Sequence, residues 1–339
     1  MSEGLTTAPG PVLVTGAAGF IGHHVVRLLT EAGRPVRAVL RPGEDPRNLT
    51  GLDPALVERV EADILDRPRL RAITRGCSAV YHLAAIYRTW VPDPKLIYDV
   101  NVTGSANVLA AAAEAGVRKV VYTSSIAAVG LRDDGVPSDE DVPFNLWGHS
   151  FDYVRSKYLG QQVALSFAPL VDVSIVGPGM PLGPGDVGPT PTGKTLIDAL
   201  SGRLPVCFEG GLNIVDVEDV ARGHLLAEAR GGRGERYLLT GHNLSIYDLI
   251  AEMRRVLGMR HAMFAMPVGL ARAAGWALEQ LADRATRREP LITAGSVDYA
   301  SQRLYFDNRK AREQIGYTVR PLDETLRRAA QWFADSGYL

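Results

Sequence analysis

Three glycines near the start of the chain place the strongest constraint on its fold. Gly16, Gly19 and Gly22 are spaced by three residues and lie between a short apolar stretch, residues 11–15, and a segment with helical periodicity, residues 20–32. Glycines at this spacing let the backbone turn tightly and approach a pyrophosphate, while the N-terminus of the following helix offers unpaired N–H groups to the phosphates. An ordinary glycine-rich turn is the alternative, but the strand–turn–helix context favours a dinucleotide-binding turn.

Short apolar stretches alternate with helical patterns over the first half of the chain. Strands are predicted at residues 36–40, 57–61, 79–83, 120–123 and 171–176, and helices at residues 95–115 and from about Phe151 onward. Alternation of this kind indicates parallel strands joined by crossover helices. The predicted fold class is therefore α/β, a doubly wound parallel Rossmann sheet with a smaller C-terminal substrate-binding cap.

The pattern changes after residue 176. Residues 177–193 hold five prolines and six glycines, and so long an irregular stretch in a compact domain is usually functional. We predict a nucleotide-binding Rossmann domain over residues 1–176. Residues 177–339 are predicted to form a mixed substrate-binding portion on the carboxyl edge of the sheet, with the strand at residues 237–239 returning to that sheet.

The bulk composition argues against several classes of function. The formal net charge of the 339 residues is −1, which argues against nucleic acid or an anionic membrane as the main partner. Cys77 and Cys207 have no metal-ligand spacing and the seven histidines form no ligand pair at helical spacing, so no metal is expected. Two free thiols, ten initial residues without signal-peptide features and no apolar run of about 18 residues predict a cytoplasmic protein without a membrane span.

The end of the second predicted strand distinguishes between the two nicotinamide cofactors. An acid there would bind the ribose 2′-hydroxyl of NAD, whereas an arginine would accept the 2′-phosphate of NADP. The strand ends at Leu40 and is followed by Arg41, with no acid before Glu44. Arg41 therefore favours NADP(H) as the cofactor, with NAD(H) as the alternative if Arg41 is only a solvated loop residue.

Further cofactor contacts are expected where the strands end. Asp63, just after the third strand, could accept a hydrogen bond from the adenine amino group or cap the following helical turn. The other positions predicted to contact the cofactor are Phe20, Ile21, Ile64, Leu83, Ala84, Ala85 and Pro178. These positions fall at or just after the carboxyl ends of strands, which is the edge where open α/β sheets bind ligands.

Tyr153 and Lys157 are four residues apart, which places them on one face of the predicted helix. A phenol with a pKa of about 10 is a poor base at neutral pH, and a nearby ammonium would lower that pKa toward the working range. Ser125, at the end of the fifth strand, would orient the reacting oxygen, and Ser124 could share that role; turn chemistry at a strand end is the alternative for both serines. Lys157 would also hold the nicotinamide ribose, so Tyr153 and Lys157 are both expected to contact the cofactor.

Two more polar residues are expected beside this site. Asn101, in the helix at residues 95–115, is predicted either to bind a water that relays protons to Lys157 or to brace the helix against the sheet. His82, at the end of the fourth strand, is expected to shape the backbone that passes the nicotinamide, and to act neither as a base nor as a metal ligand.

These residues together resemble the extended short-chain dehydrogenases/reductases, the NAD-dependent epimerase/dehydratase family, whose motifs occur in the same order. The tail adds to the likeness at residues 306–307, 310–311 and 315–317. The chain is most similar to hopanoid-associated sugar epimerases, which in turn are similar to dihydroflavonol reductases. The stretches that carry this likeness are YRTWVPDP at 87–94, GPGD at 183–186, PTPTG at 189–193, GLNIVDV at 211–217 and SGYL at 336–339. One departure is Gly177, where family members tend to have asparagine before the proline.

The resemblance implies an enzyme that acts on a small molecule and forms a homodimer through the helix from Lys95 and the helix that carries Tyr153. The residues expected to line or cover its substrate pocket are Ser124, Arg88, Trp90, Asp186 and Lys194. The leading interpretation is an NADP-dependent oxidoreductase that transfers a hydride between nicotinamide and an alcohol or carbonyl carbon. The alternative is a sugar epimerase or dehydratase that retains a tightly bound nicotinamide cofactor; a third reading is a catalytically inactive nucleotide-sensing or scaffold protein.

Overall fold

A computed structural model describes residues 9–148, 151–203 and 206–339 of the chain. The strands are β1 (Val12–Thr15), β2 (Val36–Leu40), β3 (Val57–Glu61), β4 (Ala79–His82), β5 (Lys119–Thr123), β6 (Val173–Pro178), β7 (Met180–Leu182), β8 (Val206–Cys207), β9 (Gly211–Asp216), β10 (Arg236–Leu239), β11 (His242–Ser245) and β12 (Phe264–Ala265). The helices are α1 (Phe20–Glu31), α2 (Arg67–Thr74), α3 (Lys95–Tyr98), α4 (Ser105–Glu114), α5 (Asp152–Phe167), α6 (Pro191–Leu200), α7 (Val217–Arg230), α8 (Ile246–Leu257), α9 (Val268–Leu281), α10 (Ala294–Ala300) and α11 (Leu322–Asp335).

The central sheet has seven strands in the order β3-β2-β1-β4-β5-β6-β10, and every neighbouring pair runs parallel. Strands that are buried on both faces read as continuous apolar runs, as in the fully buried VLVT of β1. The chain order reverses between β1 and β4, so the turns that follow these two strands diverge and leave a crevice at the carboxyl edge. The predicted doubly wound Rossmann fold is confirmed.

Helices cover both faces of this sheet. On one face α1 and α7 pack against β1 and β4 through residues such as Val25, Leu29 and Val220. On the other face α2, α4 and α5 supply Leu70, Leu109 and other buried side chains. Helix α7 and strand β10 thus belong to the Rossmann layers although they lie beyond residue 176. The strand that was predicted to return to the sheet at residues 237–239 is β10.

The long helix predicted at residues 95–115 is present but not uniform. Its α-helical parts, α3 and α4, are joined by a π-helical turn, Asp99–Gly104. A Cβ atom on Gly104 would lie 2.5 Å from Cδ1 of Ile64, so the helix passes very close to the segment after β3. The π turn brings Asn101 into this buried position, and π turns of this kind are frequent at functional sites.

Residues 177–193 are more regular than predicted. They include β7, which pairs with β9, and the start of α6 at Pro191. The helix begins because the Thr190 hydroxyl accepts a hydrogen bond from the Gly193 amide and because proline suits the first helical position. The prediction of one irregular stretch is wrong at these two places and at residues 177–178, which belong to β6, and β7 forms only with a partner strand far along the chain.

The remaining C-terminal elements form the smaller cap. A sheet in the order β11-β9-β7 and the short pair β12-β8 are covered by α6, α8 and α11. Their shared core includes Leu196, Met253 and Phe333. Within the described ranges no helix is long and apolar enough to cross a membrane.

Candidate active site

The glycine turn at the end of β1 has the geometry of a phosphate-binding loop. Gly16 adopts φ +66°, and a Cβ there would lie 2.8 Å from the amide nitrogen of Ala84. A Cβ on Gly22 would lie 2.0 Å from the carbonyl oxygen of Gly16. The helix α1 starts after Gly19 without a side-chain cap, so its first N–H groups are available to an anion. These residues fit the pyrophosphate of a dinucleotide.

A cavity of about 650 Å³ extends along the carboxyl edge of the sheet from this turn. The structure brings every predicted cofactor residue to its wall: Gly16, Gly19, Phe20, Ile21, Gly22, Arg41, Asp63, Ile64, Leu83, Ala84, Ala85, Tyr153, Lys157 and Pro178. Ser124, Ser125 and Arg88 line the same cavity. One continuous space therefore joins the phosphate-binding turn to the predicted catalytic residues.

The end of β2 holds a residue that the sequence argument passed over. Glu44 folds back so that its carboxylate accepts a hydrogen bond from the Arg41 amide nitrogen at 2.8 Å, and Glu44 lines the cavity. The Arg41 guanidinium forms no ion pair within the described part of the chain, and it also lines the cavity. An acid and an arginine thus lie together at the position where the ribose 2′-hydroxyl of NAD or the 2′-phosphate of NADP would bind.

Asp63 lies in the turn after β3 and lines the cavity. Its carboxylate accepts a hydrogen bond from the Leu65 amide at 2.9 Å, whereas the helix α2 is capped by Asp66, which accepts from the Arg69 amide at 3.0 Å. The alternative of a helix cap at Asp63 is therefore wrong. The predicted contact with adenine stays a prediction.

Ser125, Tyr153 and Lys157 meet at the end of β5. The Tyr153 hydroxyl donates to Ser125 Oγ at 3.4 Å, and Lys157 Nζ donates to the carbonyl oxygen of Thr123 at 2.8 Å. Ser125 Oγ also accepts from the Ala127 amide at 3.1 Å, which fixes its side chain in the turn after the strand. Ser125 therefore stabilises the turn at the strand end, which was the alternative prediction, and it also contacts the Tyr153 phenol.

Burial dominates the acid–base properties of this group. It raises the pKa of Tyr153, and the hydrogen bond with Ser125 offsets this only in part. Burial also lowers the pKa of Lys157 to about 8. The predicted net lowering of the phenol pKa is wrong for this arrangement, because burial raises the pKa of Tyr153 by more than the hydrogen bond with Ser125 lowers it. The Tyr153 phenol is consequently protonated at neutral pH.

Asn101 is held by three hydrogen bonds. Its Oδ1 accepts from the Ile86 amide at 2.8 Å, and its Nδ2 donates to the Ile86 carbonyl oxygen and to Ser156 Oγ, both at 2.9 Å. Ser156 lies on α5 and its hydroxyl donates to the carbonyl oxygen of Tyr153 at 2.8 Å. Asn101 therefore braces the segment after β4 against α5, which supports the bracing alternative. The predicted water relay to Lys157 stays a prediction.

His82 bridges the glycine turn and α4. Its Nδ1 lies 2.7 Å from Thr15 Oγ1 and its Nε2 lies 3.0 Å from Ser105 Oγ. Thr15 Oγ1 also accepts from the amides of Leu83 and Ala84, so it donates to His82, and His82 donates to Ser105. Burial, and then the charge of Lys157, lower the pKa of His82 to about 3. This neutral histidine orders the backbone beside the cavity, as expected.

The predicted substrate residues divide into two groups. Ser124 and Arg88 line the cavity; Ser124 Oγ donates to Gln161 Oε1 at 2.8 Å, and Arg88 lies 3.6 Å from Glu289. Trp90, Asp186 and Lys194 are outside the lining residues. The Trp90 indole donates to Asp283, Asp186 is buried and accepts from Thr190, and Lys194 pairs with Asp198. These three side chains make structural contacts and do not line the cavity; that they cover the substrate pocket stays a prediction.

Sequence reasoning also missed most of the substrate end of the cavity. Its apolar wall is formed by Ile86, Ile126, Phe151, Met180 and Tyr299. These residues come from five separate segments, and none carries a motif, so only the fold brings them together. Within the described ranges, no cluster of three or more His, Cys, Asp or Glu side chains is placed to hold a metal ion.

The sequence of the chain also matches a known family. A profile of the NAD dependent epimerase/dehydratase family matches residues 12–239. The chain belongs to this family. Its members are enzymes that use a nicotinamide cofactor, and both reductases and epimerases occur among the relatives of this chain.

Three relatives span almost the whole length of this member of the family. A dihydroflavonol 4-reductase-like protein from Synechocystis sp. is 36% identical, with 96% of this chain and 95% of the relative covered. Sterol demethylase protein B from Methylococcus capsulatus is 32% identical, with 96% and 99% covered. The crystal structure of a nucleoside-diphosphate-sugar epimerase from Pseudomonas aeruginosa matches with a TM-score of 0.80 at 31% identity, with 97% and 99% covered.

Proposed function

We propose that this protein is an NADP-dependent reductase that acts on the carbonyl group of an apolar small molecule. The observation that carries the proposal is the meeting of Ser125, Tyr153 and Lys157 at the apolar end of the cavity that starts at the glycine turn. The raised pKa of Tyr153 keeps the phenol protonated at neutral pH. A protonated phenol beside the substrate is what the reduction of a carbonyl requires.

The residues of the chain then have distinct tasks. A nicotinamide held by the glycine turn and Lys157 would supply the hydride that the carbonyl carbon takes up. Ser125 donates a hydrogen bond to the carbonyl oxygen and holds it beside the Tyr153 hydroxyl. As the electron pair of the C=O π bond moves to oxygen, Tyr153 gives up its proton, and the product is an alcohol. Lys157, charged below a pKa of about 8, stabilises the phenolate that remains until solvent returns the proton.

The end of β2 supports NADP as the cofactor. The carboxylate of Glu44 is engaged by the Arg41 amide, whereas the Arg41 guanidinium has no ion-pair partner in the described ranges. A planar guanidinium suits the 2′-phosphate of NADP and forms strong charge-assisted hydrogen bonds with it.

The lining of the cavity favours an apolar carbonyl compound as substrate. The cationic side chains on its wall are Arg41, Arg88 and Lys157, of which Lys157 is committed to the reaction and Arg41 to the cofactor. Arg88 alone would remain for the two phosphates of a nucleotide sugar. The apolar wall instead fits a substrate that is itself apolar.

An epimerase that keeps a bound NAD is the second candidate. It is favoured by the Glu44 carboxylate at the end of β2, where an acid binds the ribose of NAD, and by the likeness to a nucleoside-diphosphate-sugar epimerase. In such an enzyme the cofactor returns to its starting oxidation state in each cycle, so NADPH would not be consumed.

The two candidates are separated by one assay. We expect NADPH to be consumed stoichiometrically with a panel of apolar ketones and aldehydes, and Tyr153→Phe to reduce turnover by about 10²–10⁴-fold while cofactor binding is retained. Tyr247→Phe, at an exposed tyrosine on α8, is the matched control and should leave turnover unchanged. Copurified NAD, together with interconversion of nucleotide sugars without net cofactor consumption, would establish the epimerase instead.

The homodimer is also a proposal. The helix run from Lys95 to Glu114 and the helix α5 would pair with their copies, because alanine-rich helices allow close approach. Leu96 on α3 is 44% exposed and Trp147, near the start of α5, is 51% exposed, as expected for residues that a partner copy covers. Light scattering at micromolar concentration should give twice the monomer mass, and a monomer would refute the proposal.

A further inference from the structure

One short segment holds an unusual share of the exposed apolar side chains. Of the 13 large apolar residues that are strongly exposed in the described part of the chain, five fall within residues 264–291. They are Phe264, Leu270, Trp276, Leu281 and Leu291, and each is between 51% and 65% exposed. Exposed apolar side chains mark an interaction site when they form one patch on the surface.

The helix α9 at the centre of this segment is apolar on two sides. Its inner side packs through Ala271, Gly275 and the following Ala282, which are buried. At 100° per residue, the apolar residues on the other side of α9 follow one another round an arc of about 160°, roughly opposite the buried side, in the order Trp276, Ala273, Ala277, Leu270, Leu281 and Ala274. All six are exposed, and Gln280 is the polar residue within this arc. We call this surface the α9 apolar face.

A basic cluster follows directly after the helix. Arg284, Arg287 and Arg288 are all exposed, and none of them forms an ion pair within the described ranges. The two acids beside the cluster keep their charge, since Asp283 accepts from the neutral Trp90 indole and Glu289 accepts from the neutral Thr89. Arg88 lies 3.6 Å from Glu289 and adds a fourth arginine, so four arginines lie beside these two acids. The surface at the end of α9 is therefore locally positive, although the net charge of the chain is −1.

We propose that the α9 apolar face and the cluster of Arg284, Arg287 and Arg288 form a docking surface for an anionic lipid bilayer. Exposed tryptophan and leucine beside arginine are the combination found in helices that lie in the membrane interface. The apolar side chains enter the boundary between headgroups and acyl chains, and the arginines bind the lipid phosphates. The contact is peripheral and reversible, so it requires no membrane-spanning helix.

The proposed docking surface adjoins the mouth of the cavity. Arg88 and Thr89 line the cavity, and both contact Glu289 in the segment after α9. On the other side, α10 contributes Tyr299 to the cavity wall and is tied to α9 by the ion pair between Arg272 and Asp298 at 3.1 Å. A docked protein would present its cavity to the bilayer, which suits an apolar substrate; this last point rests on the proposed function.

A second copy of the chain is a poorer occupant of this surface. A parallel isologous contact through α9 would bring two copies of the arginine cluster close together, where like charges oppose association, and an antiparallel contact would leave both clusters without an opposite charge. An anionic bilayer complements the same cluster. Charge complementarity therefore favours an anionic bilayer over a second copy of the chain as the partner of this surface.

The test measures binding to vesicles without any substrate. The purified full chain should sediment with vesicles of phosphatidylcholine and phosphatidylglycerol, and binding should fall by about tenfold or more with phosphatidylcholine alone or at high salt. The double variant Leu270→Ser with Trp276→Ser and the triple variant Arg284→Gln, Arg287→Gln and Arg288→Gln should each lose binding by a similar factor. Leu170→Ser is the apolar control, since Leu170 is 70% exposed elsewhere.

A charge-matched triple variant, Arg132→Gln, Arg255→Gln and Arg327→Gln, controls for net charge. It should keep most of the vesicle binding because these exposed arginines lie away from α9 and pair with local acids. Equal losses in both triple variants, no vesicle binding by the unmodified protein, or a change of oligomeric state in the Leu270/Trp276 variant would each overturn the proposal. Tyr153→Phe should bind vesicles normally, so failure of the proposed reaction would leave this result unaffected.

Discussion

The ammonium of Lys157 donates a hydrogen bond to the carbonyl oxygen of Thr123, 2.8 Å away at the end of β5. Because Thr123 precedes the Ser124–Ser125 pair in the chain, this bond fixes the lysine on α5 to the strand end that carries Ser125. Burial in this place lowers the pKa of Lys157 to about 8, because removal from water disfavours the charged ammonium. The lysine is still charged at neutral pH.

Lys157 should therefore make the stability of the protein depend on pH in alkaline solution. The pKa of Lys157 is about 8 in the folded protein and 10.5 in the unfolded chain, so between these values the unfolded chain binds a proton that the folded chain does not. The free energy of unfolding should then rise with pH across this window, by at most about 1.4 kcal/mol per pH unit. In Lys157→Met this contribution should be absent. Urea unfolding of both proteins at several pH values from 7 to about 10 measures the difference, and equal slopes would contradict it.

The choice of cofactor should depend on Arg41 more than on Glu44. Arg41→Ala should weaken NADPH binding by about tenfold or more, since charge-assisted hydrogen bonds to a phosphate are lost, and should leave NADH binding nearly unchanged. Glu44→Gln removes the negative charge and should leave NADPH binding equal or tighter. Fluorescence titration of both cofactors checks both variants. Tighter binding of NADH by the unmodified protein, with loss of that binding in Glu44→Gln, would assign the cofactor as NAD.

The turn at Gly22 should tolerate no side chain. In Gly22→Ala the new methyl group would meet the Gly16 carbonyl oxygen at 2.0 Å, so α1 must shift away from the loop. We expect a loss of stability of about 1–3 kcal/mol and a loss of dinucleotide affinity, because the helix N-terminus no longer points at the phosphates. Gly269→Ala, at the start of α9 with open space around it, is the matched control. Thermal unfolding with and without cofactor separates the two effects.

Short sequence patterns were sufficient to predict the Rossmann sheet and the edge of that sheet where ligands bind. The glycine spacing, the alternation of strands and helices and the four-residue spacing of Tyr153 and Lys157 are all encoded within short windows. The segments that were misjudged depend on distant partners: β7 forms only because β9 pairs with it, and the side chain of Asp186 turns to Thr190 instead of into the cavity. The predicted boundary at residue 176 stays a prediction.

The direction of the pKa shift at Tyr153 also could not be predicted from the sequence. Spacing along a helix shows that Lys157 is near the phenol, but the shift depends on how completely both groups are buried. The folded chain removes both from water, and desolvation then acts on each in the direction that disfavours its charged form. The apolar residues that do this, such as Phe151 and Tyr299, carry no motif of their own.

His82 should make the protein sensitive to acid. Its folded pKa of about 3 lies below the ordinary value of 6.5, because it is buried and faces the charge of Lys157. As the pH falls from 6.5 toward 3, the unfolded chain takes up a proton that the folded chain does not, so the free energy of unfolding decreases by up to about 1.4 kcal/mol per pH unit.

Unfolding of the unmodified protein and of His82→Gln, measured from pH 7 to pH 4, should show a steeper decrease in the free energy of unfolding for the unmodified protein. At pH 7 the variant should be the less stable of the two, since the bridge from Thr15 to Ser105 is disturbed. His224→Gln, which removes a second buried histidine with a pKa of about 4, should flatten the acid slope in the same way. A parallel decline in all three proteins would show that His82 is protonated in the folded state, contrary to this assignment.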